Sequence, residues 1–218
     1  MANFFHALKW SAAGELASRA IQPLVFVILA RLLTPDAYGV MAAAIMVISF
    51  TQVFWEAGMS KAVIQRRTEV DDSANVAFWI NIALGVLIAV ILLLTSDAIA
   101  LNLFKDERVA NVLRVMTFQI LLGSLASVHT ALLQKEMKFN LLFWVRMATV
   151  AVPGFFSIPL AYYGLSYWAL VVGTLVGQAA QVIVLWKLTP WRPSFRFNET
   201  LAREMGKFGS WVGLTGLL

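Results

Sequence analysis

The sequence has no cysteine, only two histidines and few charged residues, with 13% of its 218 positions occupied by Asp, Glu, Lys or Arg. Without cysteine there are no disulfides, no thiolate metal sites and no thiol nucleophile. His6 and His129 alone cannot form a histidine metal cluster. We therefore expect a chain that binds no metal and no other cofactor.

Hydrophobic residues make up 60% of the chain, and the mean hydropathy is +0.77. Soluble domains carry roughly 45–50% apolar and about 25% charged residues. A chain of this size still exposes much of its surface to water, so one soluble core cannot bury the excess. The composition predicts an integral membrane protein. Its net charge of +5 then indicates basic cytoplasmic loops rather than nucleic-acid binding.

Uncharged runs give the number of membrane spans, because a spanning helix needs about 20 mostly apolar residues. Four such runs are present: Ala37–Trp55, Ser73–Ser96, Val115–Gln134 and Met147–Trp186. As one helix, the last run would be about 60 Å long. It must fold back, and a turn at Tyr162–Gly164 predicts a fifth helix near Phe139–Tyr162 and a sixth near Ser166–Lys187.

The two ends of the chain are less plainly membrane-spanning. Phe4–Leu33 is apolar overall but contains four charged residues, and it ends where Thr34 precedes Pro35, a position that disfavours helix. We interpret it as a retained first helix, because the charges would interrupt the core of a signal peptide. Residues 206–218 begin another apolar helix that is too short to cross a bilayer. We expect an all-α, polytopic membrane protein with six complete transmembrane helices and the start of a seventh.

These spans predict three parts of the chain. Residues 1–189 form an amino-terminal six-helix lobe, 190–205 a cytoplasmic linker, and 206–218 the start of a truncated second lobe; for the last part, a short amphipathic tail is the alternative. Lys and Arg favour the cytoplasmic side of a membrane. With the amino terminus inside, the inside segments carry 11 of these residues and the outside segments 4. We therefore expect a cytoplasmic amino terminus.

Charged residues inside spans are candidates for function, because they are costly in a bilayer and usually face protein or water. Arg19 lies beside a polar stripe at helical spacing on the first helix. The stripe consists of Ser11, Glu15, Ser18 and Gln22. Glu15 and Arg19 are four residues apart and can pair. One interpretation is a self-neutralising pair between helices, and the other is a water-filled cavity in which Arg19 faces an anionic substrate.

Arg146 is the second charged candidate. It lies one to two turns into the fifth helix, with no acidic residue three or four positions away. Its guanidinium offers a fixed fork of donors that suits phosphate oxygens. The alternative is that its long side chain reaches the cytoplasmic interface beside Lys138.

Other features of the spans predict packing rather than chemistry. Small and polar residues at helical spacing, as on one face of the fourth helix, are typical of packing seams. That face consists of Gln119, Gly123, Ser127, Thr130 and Gln134. His129 lies beside it, where we expect a hydrogen-bonded structural role, with proton coupling as the alternative. Gly173 and Gly177 predict a close helix contact. The sequence offers no catalytic constellation, so we expect no enzyme.

Three segments carry a resemblance to a known family. Arg31–Gly39, Glu56–Arg66 and Ala77–Asn81 resemble the corresponding segments of bacterial polysaccharide transporters. The chain thus resembles oligosaccharide flippases, the Wzx/WzxC-like lipopolysaccharide biosynthesis proteins of the multidrug/oligosaccharidyl-lipid/polysaccharide exporter superfamily. The resemblance is most specific over residues 31–81 and extends to the end of the sixth helix.

This resemblance implies two lobes of about six helices around a central cavity in the bacterial inner membrane. It implies a lipid-linked oligosaccharide substrate of the undecaprenyl diphosphate type, and as partners membrane lipids and a missing carboxy-terminal lobe. The cavity candidates remain those chosen by their chemistry: Arg146, Arg19, Glu15, Gln22 and Ser18. The alternatives are a drug or small-molecule exporter of the same superfamily and a non-transporting half-length membrane protein.

Overall fold

The computed structural model describes residues 19–55, 62–64, 70–194 and 201–202, apart from the side chains of residues 53–55. All regular structure in these residues is helical, which confirms the all-α class. The described helices are α1 over 19–32, α2 Pro35–Trp55, α3 Val70–Ile99, α4 Glu107–Lys135, α5 Phe139–Tyr162 and α6 Tyr167–Leu188. Residues 62–64 and 201–202 are also helical, and α3 continues into a π-helical turn, Ala100–Phe104.

Four of these helices are long and apolar enough to cross a membrane: α3 with its π-helical turn, α4, α5 and α6. At about 31 Å, α2 has the length, but it is not among the four, and its described part includes the polar residues Asp36 and Gln52. The structure describes α1 only from Arg19, and residues 206–218 lie outside the described chain. The predicted count of six complete spans and the start of a seventh is therefore not supported, since the described residues give four.

The long uncharged run folds back where the sequence predicts. α5 ends at Tyr162, and α6 begins at Tyr167. Between them Gly164 has a φ of 82°, a left-handed conformation that glycine adopts at little cost. Pro153 and Pro159 lie inside α5 without interrupting the helix. The predicted fifth and sixth helices are confirmed as an antiparallel pair.

Small residues bring α5 and α6 into close contact. Gly173 lies against Ser157 and the carbonyl of Pro153, and Gly177 lies against the Pro153 ring. A Cβ atom on Gly173 would come within 2.9 Å of the Pro153 carbonyl oxygen. The predicted contact at these glycines is confirmed. We call these four residues the α5–α6 seam.

The lobe is built around α4, which packs on α2, α3, α5 and α6. Its large side chains Leu113, Met116 and Ile120 are almost completely buried, as expected of a helix enclosed by others. α3 packs on α4 on one side and exposes large apolar residues on the other, such as Leu87 and Leu94. Lipid tails are as apolar as these side chains. α3 therefore forms an outer face of the lobe and α4 its centre.

The junction between α1 and α2 falls within the first family-like segment. Pro35 is the first residue of α2, where its missing N–H costs no hydrogen bond. Thr34 lies just before it and accepts a long hydrogen bond from the Ala37 amide, 3.4 Å from its Oγ1. Asp36 accepts a hydrogen bond of 2.9 Å from Arg108 Nη2, at the start of α4. The segment therefore starts α2 and joins that helix end to α4.

Candidate functional site

A polar cleft of about 410 Å³ lies between α2, α4 and α6. Small-molecule sites in proteins are typically 300–1,000 Å³ in size. The polar part of the lining consists of Gln52, Gln119, Gln134, Gln178, Gln181, Ser127 and Thr130. Gly, Ala and Ile make up the rest of the lining that the structure describes, and none of these described residues is charged. We call this site the glutamine cleft.

The α4 wall of the cleft is the face on which the sequence predicts a packing seam. All five residues of that face line the cleft, from Gln119 to Gln134. The expectation of a packing seam therefore holds only in part for this face, since Ser127 contacts α3 while all five residues border open space. Its small side chains leave space, and the facing helices, α2 and α6, place glutamines at that space instead of filling it.

Gln119 lies deep within the lobe. It comes 12 residues after Glu107, or about 18 Å along α4, near the middle of the helix. Its side-chain oxygen is buried and has no hydrogen-bond partner in the described part of the chain. Ser127, further along the same wall, accepts a hydrogen bond of 2.7 Å from Asn81 Nδ2 on α3. The Gln119 oxygen is therefore an acceptor that the surrounding helices do not satisfy.

Sequence reasoning missed the glutamines that the other two helices contribute. Gln52 lies in the last turns of α2, while Gln178 and Gln181 are three residues apart on α6. The signal was present, because positions three apart share a helix face and amides are unusual in such apolar helices. The prediction considered charged residues first, because burying a charge in a membrane costs more free energy than burying an amide.

The binding residues that the sequence predicts lie either away from the glutamine cleft or outside the described residues. Arg19, Gln22 and Arg146 are exposed, and none of them lines the glutamine cleft. Glu15 and Ser18 lie outside the described residues. A role for these five residues in binding stays a prediction.

α1 and α5 nevertheless place the two arginines close in depth. Val25 on α1 contacts Gly154 on α5, and further along both helices Leu29 and Ala161 share one buried cluster. The two helices therefore run parallel. Arg19 lies six residues before Val25, and Arg146 lies eight residues before Gly154. Counted along each helix from the Val25–Gly154 contact at 1.5 Å per residue, the two arginines lie about 9 and 12 Å away, a difference of about 3 Å.

His129 is fully buried in an aromatic cluster. Its ring stacks on Trp186 at a centroid distance of 4.8 Å and meets the Trp191 and Phe78 rings at 5.3 and 6.4 Å. Neither ring nitrogen has a hydrogen-bond partner among the described residues. The neighbouring Leu125 carbonyl accepts from Trp186 Nε1, at 3.3 Å. The structural role predicted for His129 is therefore supported by aromatic packing, and among the described residues the backbone of Leu125 is the one neighbour within reach of its ring for the predicted hydrogen bond.

Ion pairs join the helices at the end of the lobe where α2 and α4 begin. Arg108 bridges Asp36, at the start of α2, and Asp106, the residue that caps α4. The Arg108 side chain donates to Asp106 at 2.7 Å and holds the pKa of that carboxyl below its usual value. Arg114 on α4 pairs with Asp97 on α3. Charges at this end therefore join helices to one another, whereas the described lining of the glutamine cleft, near the other end of α4, contains none.

Comparison with known proteins gives the family. The family model described as polysaccharide biosynthesis protein matches residues 28–218. The chain belongs to this family. The resemblance expected from the three sequence segments is therefore confirmed. With four helices that could span a bilayer, this family member is a multi-pass membrane protein.

Curated relatives match along nearly the whole chain. The succinoglycan biosynthesis transport protein ExoT of Rhizobium meliloti (strain 1021) is 25% identical over 199 residues, which cover 91% of this chain and 40% of that protein. The teichuronic acid biosynthesis protein TuaB of Bacillus subtilis (strain 168) is 24% identical over 205 residues, covering 93% and 42%. The lipopolysaccharide biosynthesis protein WzxC of Escherichia coli (strain K12) is 20% identical over 206 residues, covering 94% and 42%. The chain spans about two fifths of the length of these relatives. No solved structure matches it significantly.

Proposed function

We propose that this chain is the amino-terminal lobe of a flippase that moves lipid-linked oligosaccharides across the bacterial inner membrane. The observation that carries the proposal is a polar cleft between apolar helices in a chain of the polysaccharide biosynthesis family. Polar groups in hydrocarbon are costly unless they find partners, so a cleft with five glutamines suits a polar ligand better than lipid. One relative is itself named a transport protein.

The lobe has six spans in this proposal, with α1 and α2 added to the four apolar helices. α2 is about 31 Å long, enough for a hydrocarbon core of roughly 30 Å. The 11-to-4 distribution of basic residues puts the amino terminus and the segment after α6 in the cytoplasm. The glutamine cleft then extends from mid-membrane to the cytoplasmic end of α4, where substrate is loaded.

Two single-cysteine variants test this orientation, since the chain has no cysteine of its own. Ser194 follows α6, and its backbone is hydrogen-bonded to Asn75 and Trp79. Ser166 lies in the turn between α5 and α6. An impermeant thiol reagent added to intact cells should label Ser166→Cys and leave Ser194→Cys unlabelled. The reverse pattern would overturn the orientation.

A lipid-linked oligosaccharide presents a charged diphosphate and a polar glycan. We assign the diphosphate to Arg146 and Arg19, with Gln22, Glu15 and Ser18 as further candidates from the sequence, because guanidinium forks suit phosphate oxygens. The two arginines lie on adjacent parallel helices at similar depth and are exposed in this lobe. Their exposed faces turn toward a central cavity that a second lobe closes, and rocking of the two lobes exposes the cavity to each side in turn.

Arg146 variants test the assignment in a strain that carries the complete coding sequence. Arg146→Ala should abolish most polysaccharide export, and Arg146→Lys should export at an intermediate rate, because a lysine keeps the charge but loses the fork. Arg114→Ala is the matched control, since Arg114 pairs with Asp97 at the other end of the lobe. Export by Arg146→Ala at the rate of the Arg114→Ala control would show that Arg146 is an interfacial anchor.

A further inference from the structure

The part of the glutamine cleft's lining that the structure describes contains donors and acceptors but no charged residue. Five amides and two hydroxyls come from three helices, and none of these described lining residues is Asp, Glu, Lys or Arg. Each amide side chain offers two donors and an acceptor at once. Vicinal hydroxyl groups of a sugar present the same mixture, so amides match them with pairs of hydrogen bonds.

The absence of charge in this lining argues against ionic ligands. Hard cations in proteins are held mainly by oxygen ligands with carboxylates among them, and the described lining residues include no carboxylate. An anion would enter a site without a cationic partner, and burying an unpaired charge is costly. A neutral polyhydroxyl ligand needs no carboxylate to bind it and buries no unpaired charge.

One acceptor on the α4 wall of the cleft, the side-chain oxygen of Gln119, has no donor among the described residues. This oxygen is buried near mid-helix. Ser127, by contrast, accepts a hydrogen bond from Asn81 on α3, which packs against α4. The Gln119 oxygen is closed to water in this conformation, so rotation of the Gln119 amide toward the open space would let a hydroxyl group in the cleft supply the missing hydrogen bond.

We propose that the glutamine cleft between α2, α4 and α6 binds an uncharged stretch of glycan and discriminates against acidic sugars. This inference rests on the proposed flippase function and divides the substrate between two places. The arginines of α1 and α5 take the diphosphate, and the glutamines take neutral sugar hydroxyls. The cleft thereby contributes to the choice of glycan that the protein carries.

Two soluble trisaccharides of similar size test the charge selectivity. Maltotriose is neutral, and trigalacturonate carries three carboxylates. Binding of each to the protein in lipid nanodiscs is measured by saturation-transfer difference NMR at physiological salt. Maltotriose should bind at least about tenfold more tightly than trigalacturonate, since only the neutral sugar enters the cleft without burying charge. Equal binding of the two, or tighter binding of trigalacturonate, would overturn the proposal.

Substitutions locate the site. Gln119→Leu should weaken maltotriose binding about three- to tenfold, the usual effect of one lost hydrogen bond. Thr130→Val should weaken it less, and Thr174→Val should leave it unchanged. The last two are matched, because both hydroxyls donate to the carbonyl four residues earlier and only Thr130 lines the cleft. If Gln119→Leu fails to insert, Gln178→Leu takes its place. Maltotriose binding that no cleft variant weakens would place the sugar elsewhere.

The outcome can be separated from that of the proposed function. If Arg146→Ala stops export while maltotriose does not bind, the flippase proposal stands and the cleft assignment falls. If maltotriose binds through Gln119 while Arg146→Ala exports normally, the cleft remains a sugar site and the diphosphate assignment falls.

Discussion

The α5–α6 seam and the glutamine cleft have the same kind of sequence and opposite structures. Both are lined by small and polar residues at helical spacing, Gly173 and Gly177 on α6 and Gly123 and Ser127 on α4. At the seam, the partner helix fills the groove. At the cleft, about 410 Å³ stays open. A small-residue face therefore permits close approach but does not by itself cause it.

The facing helix makes the difference. α5 presents Pro153 and Ser157, compact groups that fit against the two glycines. α2 and α6 present Gln52, Gln178 and Gln181 to α4, and these long polar side chains cannot replace the apolar packing of a seam. The seam therefore stabilises the lobe through contact, whereas the cleft leaves open space at some cost in packing.

The largest expected effect comes from adding one methyl group to the seam. Gly173→Ala should lower the free energy of unfolding by about 1–3 kcal/mol, because its Cβ would meet the Pro153 carbonyl, which is backbone and cannot rotate away. Unfolding is followed in bicelles titrated with sodium dodecyl sulfate. Gly39→Ala is the control, since a Cβ there has no atom within 4 Å. Equal stability of the two variants would show that the seam is looser than described.

An intermediate effect is expected where α3 meets α4. Gly85→Ala should cost about 1 kcal/mol, because its Cβ would meet the side chain of Ser124 rather than backbone. Replacing that hydroxyl should relieve the clash, so the double variant Gly85→Ala/Ser124→Ala should be more stable than the sum of the single variants predicts. Additive losses would contradict a direct contact between the two residues.

The smallest effect is expected in the cleft. Gln119→Leu should change the free energy of unfolding by less than about 0.5 kcal/mol or raise it slightly, because it removes a buried acceptor that has no partner among the described residues. The same denaturant titration measures it. A loss of 2 kcal/mol or more would mean that Gln119 has a structural partner, and the contrast between seam and cleft would weaken.

The helices on either side of the fold-back could be predicted closely, although the predicted number of spans is not supported. The predicted and the observed bounds of α5 are the same, because the uncharged run was too long for one span and had one plausible turn, at Gly164. The seam at Gly173 followed from residue spacing. The cleft could not be predicted, since spacing reports one helix at a time and the open space depends on what α2 and α6 place opposite α4. The ion pair of Asp36 with Arg108 joins residues 72 positions apart. Patterns within one helix do not predict a contact between residues so far apart in the sequence.

Thiol chemistry tests most directly whether the cleft is open to water while the seam is closed. Ser127→Cys lies in the cleft and Ser157→Cys in the seam, each as the only cysteine in its chain. A small water-soluble methanethiosulfonate reacts with the hydrated thiolate, and the rates are compared in nanodiscs. We predict that Ser127→Cys reacts at least about tenfold faster than Ser157→Cys. Equal, slow reaction of both would show a closed, dry seam in place of the glutamine cleft.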